Sequence, residues 1–322
     1  ITQAMRQPGS SFKPVLYTAA VASGISLDET VPDSPIVVDM PFWQPPWAPK
    51  NFEGYFTDST LTLRQGLWRS INSVAVRLGQ RLGPEAVIAE ARKFGITAPI
   101  DAVPSIYLGT LSVKPIEMIA AYTTFANLGN RTVPNAILRV EDGHGRILWQ
   151  PTPRSIPVVD QATALTMNQA LQGVIRGGTA YSAVYAAGFT IPAGGKTGTT
   201  SDYHDVWFIG FTHDIVAGVW MGFDNPQPIM RNAQGGKLAA PAWREMMSQI
   251  YQRRRNPGDW GISDSLVAVE IDRTNGLLAT PFCPSNVREI RYYVKGTEPT
   301  KYCPIHTPFR PGGVGAGGGG GP

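Results

Sequence analysis

A serine and a lysine stand three residues apart in the stretch Arg6-Gln7-Pro8-Gly9-Ser10-Ser11-Phe12-Lys13-Pro14. A serine hydroxyl is a poor nucleophile unless a base stands beside it. Lysine serves as that base only when desolvation or a second cation lowers its pKa. Pro8 and Gly9 break the chain ahead of the pair, and an apolar run from Val15 to Ala22 follows it. The stretch therefore reads as a helix start, with Ser10 and Lys13 on one face. A helix N-terminus adds a positive dipole end and free N–H groups, which suit a developing oxyanion. Pro14 breaks the local rules, because it forgoes a bond to the Ser10 carbonyl. Ser-x-x-Lys alone is a weak signal, since a solvated first turn capped by serine has the same spelling.

Two further short motifs give it company. Ser70-Ile71-Asn72 interrupts a helical run from Thr62 to Gly83, and it offers a hydroxyl and an amide to one cleft. The plainer alternative is a local turn bonded to its own backbone. Lys196-Thr197-Gly198-Thr199 opens a strand. Alternation puts Lys196 and Gly198 on one face, with Thr197 and Thr199 on the other. The glycine lets another backbone or a ligand lie close. Here the alternative is an edge strand with an exposed lysine. Each motif occurs once: of eight lysines, only Lys13 follows a serine by three and only Lys196 precedes Thr-Gly.

The elements that must position these residues follow from periodicity. Helices are expected over Pro84–Phe94, Pro115–Leu128, Asp160–Ile175 and Pro241–Tyr251. Short strands are expected over Gly194–Thr200, Val206–Thr212 and Ile215–Phe223, linked as an antiparallel meander. Ala136–Trp149 and Leu266–Thr280 read as hairpins, the second turning at Asn275-Gly276. Residues 28–60 are rich in proline and aromatics, including Pro41-Phe42-Trp43-Gln44 and Trp47 to Phe52. A loop of that length and content is either a groove wall or a segment packed on the core. The expected class is mixed α+β, an antiparallel central sheet flanked by helices.

Composition is globular: 322 residues, 43% hydrophobic and 16% charged, with 35 glycines and 28 prolines. The net charge of +4 is mild and carries no nucleic-acid footprint. No run approaches the ~20 apolar residues of a membrane span. Cys283 and Cys303 lack the clustered Cys/His spacing of a zinc site, so no metal centre is expected. A disulfide between them and two free thiols both remain open.

In order, Ser-x-x-Lys, Ser-x-Asn and Lys-Thr-Gly form a known set. With the Gln7–Pro14 block, Leu61-Thr62-Leu63-Arg64, Pro104-Ser105 to Leu108-Gly109, Gly178-Thr179-Ala180 and Trp207-Phe208-Ile209-Gly210, the chain resembles the transpeptidase domain of class A penicillin-binding proteins. The resemblance covers nearly all of the chain to about residue 308. It implies acyl transfer on peptidoglycan stem peptides ending in D-Ala-D-Ala, acylation by β-lactam antibiotics, no cofactor, and an extracytoplasmic, membrane-anchored parent carrying a glycosyltransferase. It implies Ser10 as nucleophile, Lys13 as proton acceptor and Ser70 as relay, with Asn72 on the donor's amide. Lys196, Thr197 and Thr199 would hold the terminal carboxylate beside Gly198, and the N–H groups of Ser10 and Thr199 would form the oxyanion hole. A β-lactamase needs a base for water, and none of Glu85, Glu90, Glu117 and Glu141 has the surroundings of one. A D,D-carboxypeptidase and a β-lactam sensor keep the same motifs and stay open. The expected organisation is a transpeptidase domain over 1–258, a hairpin and cysteine-containing extension over 259–310, and a disordered glycine-rich tail over 311–322. The family's central sheet has five strands, two of them ahead of the active-site helix. This chain starts after them, so an exposed sheet edge and poor folding of the isolated chain are expected.

Overall fold

A computed structural model describes residues 1–40, 45–261 and 266–307. Pro41–Gln44 of the aromatic loop and the glycine-rich tail lie outside the described residues. The chain enters a 3₁₀ turn over Gly9–Phe12 and continues as helix α1, Lys13–Ala22. Pro14 thus sits in the first turn, where no intrahelical amide is needed. The Ser10 carbonyl is not orphaned, because the Lys13 amide binds it. The expectation of a broken rule at Pro14 is corrected by that one-turn shift. Residues Lys13 to Ala20 are all buried, so α1 is a central helix, apolar nearly all round.

Around it the chain adds β1 (Thr30–Pro32) and β2 (Thr60–Thr62), which pair antiparallel, and α2 (Leu63–Trp68). A capping box between Thr62 and Gln65 starts α2. The expected break follows, and α3 resumes over Asn72–Leu82. Next come α4 (Pro84–Lys93), the buried α5 (Pro115–Ala126), and β3 (Asn130–Thr132). The expected hairpin forms as β4 (Val140–Glu141) and β5 (Ile147–Trp149), and β6 (Ser155–Pro157) returns to pair β3. Asp160 caps α6, Gln161–Arg176.

The central sheet is the expected meander: β7 (Gly194–Thr199), β8 (Asp205–Phe211) and β9 (Val216–Gly222), in that order. Every β8 residue is buried, because α5 covers one face of the sheet and α7 (Ala239–Tyr251) packs on β8 and β9. The arrangement is mixed α+β, helices flanking an antiparallel sheet. Among the described residues, no helix is long and apolar enough to cross a membrane.

A second sheet holds the C-terminal segment: β10 (Leu266–Asp272), β11 (Leu277–Leu278) and β12 (Arg288–Val294), ordered β11-β10-β12. The hairpin turn falls at Asn275-Gly276 as expected, but β12 is the main partner of β10, from Leu266↔Val294 to Asp272↔Arg288. Its spelling, Arg-Glu-Ile-Arg-Tyr-Tyr-Val, hides it, since charged residues interrupt the apolar alternation. Arg291 on β12 and Arg64 on α2 both bind buried Asp28, which ties this sheet to the helical body. Cys283 and Cys303 are free and buried. They are not without metal-site company, as their spacing suggested, because the fold brings Asp272 and His306 to them.

Candidate active site

The turn bearing Ser10 is held from several sides. Trp207 Nε1 donates to the Gln7 carbonyl (2.9 Å), Tyr122 Oη to the Ser11 carbonyl (2.7 Å), and the Gly9 amide to the Gly109 carbonyl (3.1 Å). Gly9 has φ +52°, and a Cβ there would lie 2.6 Å from the Thr199 carbonyl oxygen. Only glycine lets the Ser10 turn approach β7 so closely. Gly198 makes the matching contact from the strand, its absent Cβ aimed 2.4 Å from the Pro8 carbonyl oxygen.

A cleft of about 580 Å³ opens above this contact. Ser10, Ser70, Asn72, Thr197 and Thr199 line it, and Trp47 and Phe52 stand in its wall. The described part of the aromatic loop therefore does form a groove wall. Lys13 and Lys196 lie beneath, both fully buried, so Lys196 is no exposed edge lysine. The expected alternation holds: Thr197 and Thr199 face the cleft, while Gly198 faces the Ser10 turn.

Ser70 is the hub. It has φ +60°, a left-handed conformation that costs a non-glycine residue of order 1 kcal/mol or more. Lys13 Nζ donates to the Ser70 carbonyl (2.6 Å), to Asn72 Oδ1 (2.8 Å) and to Ser70 Oγ (3.4 Å). Lys196 Nζ donates to Ser70 Oγ (2.8 Å) and to the Thr197 carbonyl (3.1 Å). Among the described residues, no hydrogen bond engages the Ser10 hydroxyl. Desolvation pushes the Lys13 amine well below the ordinary lysine range, and the Lys196 charge pushes it further, against the opposing charge of Glu53. Desolvation alone brings Lys196 down to about 7. The cleft thus brings together the Ser10 hydroxyl, a second hydroxyl on Ser70 bonded by two buried amines, and a Lys13 amine held well below the ordinary lysine range. That inventory suits nucleophilic acyl transfer.

The comparisons agree with this chemistry. Residues 1–248 match the family described as penicillin binding protein transpeptidase domain. The chain belongs to that family. Residues 262–308 match the C-terminal domain of penicillin-binding protein 1A. Penicillin-binding protein 1A of Neisseria meningitidis serogroup A is 38% identical over 265 residues, covering 80% of this chain and 33% of the relative. The Aquifex aeolicus protein of that name is 33% identical over 305 residues, covering 94% of this chain and 40% of the relative. The chain therefore spans a third to two fifths of the length of these relatives. Among solved structures, penicillin-binding protein 1A from Haemophilus influenzae superposes with a TM-score of 0.83 at 29% identity, over 94% of this chain and 50% of that one. PonA1 from Mycobacterium tuberculosis superposes with a TM-score of 0.70 at 25% identity, over 82% of this chain and 74% of that one.

The cleft is also held by residues that the motifs do not name. Asn51 Oδ1 accepts the amides of Asn72 (3.0 Å) and Ser73 (3.2 Å). Asn51 Nδ2 and Ser73 Oγ both donate to Asp33 Oδ1, at 2.7 and 2.6 Å. Burial pushes the Asp33 carboxyl up, but the bonds from Ser73, Asn51 and Thr57 outweigh it and hold the carboxyl below the usual range. This buried anion fixes the start of α3 and with it Asn72. Thr179 Oγ1 bonds Thr197 Oγ1 at 2.7 Å and shares the cleft wall. Asp33 and Asn51 sit in the proline-rich stretch, which carries no local signal for them. Thr179 stands inside a quoted family block, which was the available signal.

Proposed function

We propose that this chain is a serine D,D-transpeptidase acting on peptidoglycan stem peptides that end in D-Ala-D-Ala. The observation that carries the reading is the buried pair Lys13 and Lys196 converging on Ser70 beside a free Ser10 hydroxyl. Ser10 Oγ attacks the penultimate D-Ala carbonyl, and its proton passes to neutral Lys13. The N–H groups of Ser10 and Thr199 hold the oxyanion. The C–N bond breaks, Ser70 delivers a proton to the leaving D-Ala amine, and the acyl group stays on Ser10. The amine of a second stem peptide then takes the acyl group and restores the Ser10 hydroxyl. Asn72 binds the donor's amide, while Thr197, Thr199 and the Lys196 cation bind its terminal carboxylate.

A β-lactam mimics that donor and stops at the acyl-enzyme. PonA1, which shares the fold, has been solved in complex with penicillin V. The catalytic unit is proposed to run over 1–258, with the extension over 259–310 as a separate C-terminal unit. The whole protein is proposed to be anchored at the outer face of the bacterial plasma membrane and to carry a glycosyltransferase, as the class A resemblance implies. The test is labelling with fluorescent penicillin, then mass spectrometry of the peptide containing Ser10. A stable adduct on Ser10 that is lost in Ser10→Ala is expected, and a supplied amine should be acylated by a D-Ala-D-Ala donor. Fast release of hydrolysed penicillin, or no adduct on a folded sample, would overturn the reading.

A further inference from the structure

Apart from its seam with the helical body, the C-terminal sheet buries few apolar side chains of its own. From residue 266 onward, the buried apolar side chains among the described residues are Leu266, Ile271 and Tyr293, with the two cysteines. Segments of this size seldom fold on so small a core without a disulfide, a metal or oligomerisation. At the centre of this one, four unlike ligand groups converge. Asp272 closes β10, Cys283 follows β11, and Cys303 and His306 lie in the closing Cys-Pro-Ile-His turn. Their ligand atoms all lie within 4.8 Å of one another.

We propose that Asp272, Cys283, Cys303 and His306 form a structural zinc site. Zinc takes sulfur at about 2.3 Å and nitrogen or oxygen at about 2.0–2.2 Å, in a tetrahedron. That geometry sets S···O and S···N separations near ~3.6 Å and N···O near ~3.4 Å. Here Cys283 Sγ lies 3.6 Å and Cys303 Sγ 3.2 Å from Asp272 Oδ2, and Cys303 Sγ lies 3.5 Å from His306 Nδ1. His306 Nδ1 and Asp272 Oδ2 stand 2.7 Å apart, so this pair opens as the ion enters.

The outer partners fit the same assignment. Thr274 donates its amide and hydroxyl to Asp272 Oδ1, at 2.9 and 2.5 Å, leaving Oδ2 to face the cluster. Asn275 Nδ2 donates to Cys303 Sγ (3.1 Å) and the Thr280 amide to Cys283 Sγ (3.3 Å). N–H donors in this position orient metal ligands and tune a metal site. Two sulfurs favour a borderline-soft ion over Mg²⁺ or Ca²⁺. A disulfide would consume both sulfurs and leave Asp272 and His306 paired only with each other. Asp272, Cys283 and Cys303 are buried, while the half-buried His306 ring borders solvent and gives the ion a way in.

The test uses the purified protein, reduced and stripped with chelator, then given Zn²⁺ under anaerobic conditions, desalted and assayed by elemental mass spectrometry. About one zinc per chain is expected, with Cys303→Ser and His306→Ala losing it while penicillin labelling of Ser10 persists. Asn275→Ala is expected to weaken zinc affinity roughly 10–100-fold, as loss of an outer partner does. Co²⁺ in place of zinc should give a thiolate-to-cobalt charge-transfer band that Cys283→Ser diminishes. Failure of the reduced, penicillin-reactive wild-type protein to retain zinc, or a Co²⁺ complex without that band, would overturn the proposal. Zinc content and Ser10 labelling are separate readouts on the same samples, so failure of the zinc site and failure of the catalytic assignment are distinguishable.

Discussion

Gly198→Ala tests how the Ser10 turn is held. The added Cβ would sit 2.4 Å from the Pro8 carbonyl oxygen, 3.0 Å from Trp207 Cβ and 3.2 Å from Ser11 Cβ. Ordinary contact begins at 3.4 Å, so the Pro8 side must retreat by 3.4 − 2.4 = 1.0 Å. β7 cannot retreat instead, because Gly198 is in register with Trp207 on β8, which α5 and α7 bury. The displacement therefore falls on the turn two residues from the nucleophile. A misplacement of about 1 Å costs roughly 10²-fold in rate, and overpacking of this kind costs about 1–3 kcal/mol. Stopped-flow acylation by a fluorescent penicillin should slow about 10²-fold, with Tm falling by roughly 2–12 °C in a domain of this size. Gly143→Ala is the control, since its Cβ meets nothing within 4 Å. An acylation rate for Gly198→Ala within about threefold of wild type would show that the backbone contact does not set the position of Ser10.

In the proposed mechanism acylation requires neutral Lys13, whose folded pKa is lowered by burial and by Lys196. Its rate should therefore rise with pH to a plateau reached well below the ordinary lysine range, and then fall above about 7 for carboxylate-bearing substrates as Lys196 loses its proton. A flat pH–rate profile refutes this. Lys196 binds its proton less readily in the folded state, so stability rises with pH from about 7 toward the ordinary lysine value of 10.5. Lys196→Met should remove up to about 1.4 kcal/mol per pH unit from that slope in urea unfolding, and an unchanged slope counts against it. Asp28→Asn leaves the buried Arg64 and Arg291 without their anion. It should cost about 3–5 kcal/mol in denaturant unfolding, and a loss below about 1 kcal/mol would refute the coupling.

The catalytic motifs were legible because their geometry is local. Ser10 and Lys13 share a face by i, i+3 spacing, and the strand period of two separates Lys196 and Gly198 from Thr197 and Thr199. The break at Ser70 also showed, since the helical pattern of Thr62–Gly83 fails there. What did not show depends on long closures. Asp33 meets Asn51 and Ser73 across 18 and 40 residues of chain, with no periodic pattern to announce it. Strand β12 was missed for a related reason: its residues pair with β10, but three of its seven (Arg288, Glu289 and Arg291) are charged and break the apolar alternation. Cys303 and His306 have local spacing, yet Asp272 and Cys283 arrive only through the second sheet.

Proton counting joins the two lysines to the chemistry. An ammonium has three donors and no acceptor. In this structure Lys13 spends them on the Ser70 carbonyl, Asn72 Oδ1 and Ser70 Oγ, the last at 3.4 Å. A neutral amine keeps two donors, enough for the two short bonds at 2.6 and 2.8 Å. Its lone pair then falls at the third and weakest position, facing the Ser70 hydroxyl. Ser70 Oγ can donate into that lone pair while it accepts from Lys196 at 2.8 Å. The two amines also differ in what lowers them. Lys13 is lowered by burial and by its neighbour's charge, whereas Lys196 is lowered by burial alone. The neighbouring charge thus favours neutral Lys13 beside charged Lys196, which suits Lys13 as the proposed proton acceptor and Lys196 as the proposed partner of the substrate carboxylate. Exchanging these two roles would leave a charged Lys13 with no capacity to accept a proton.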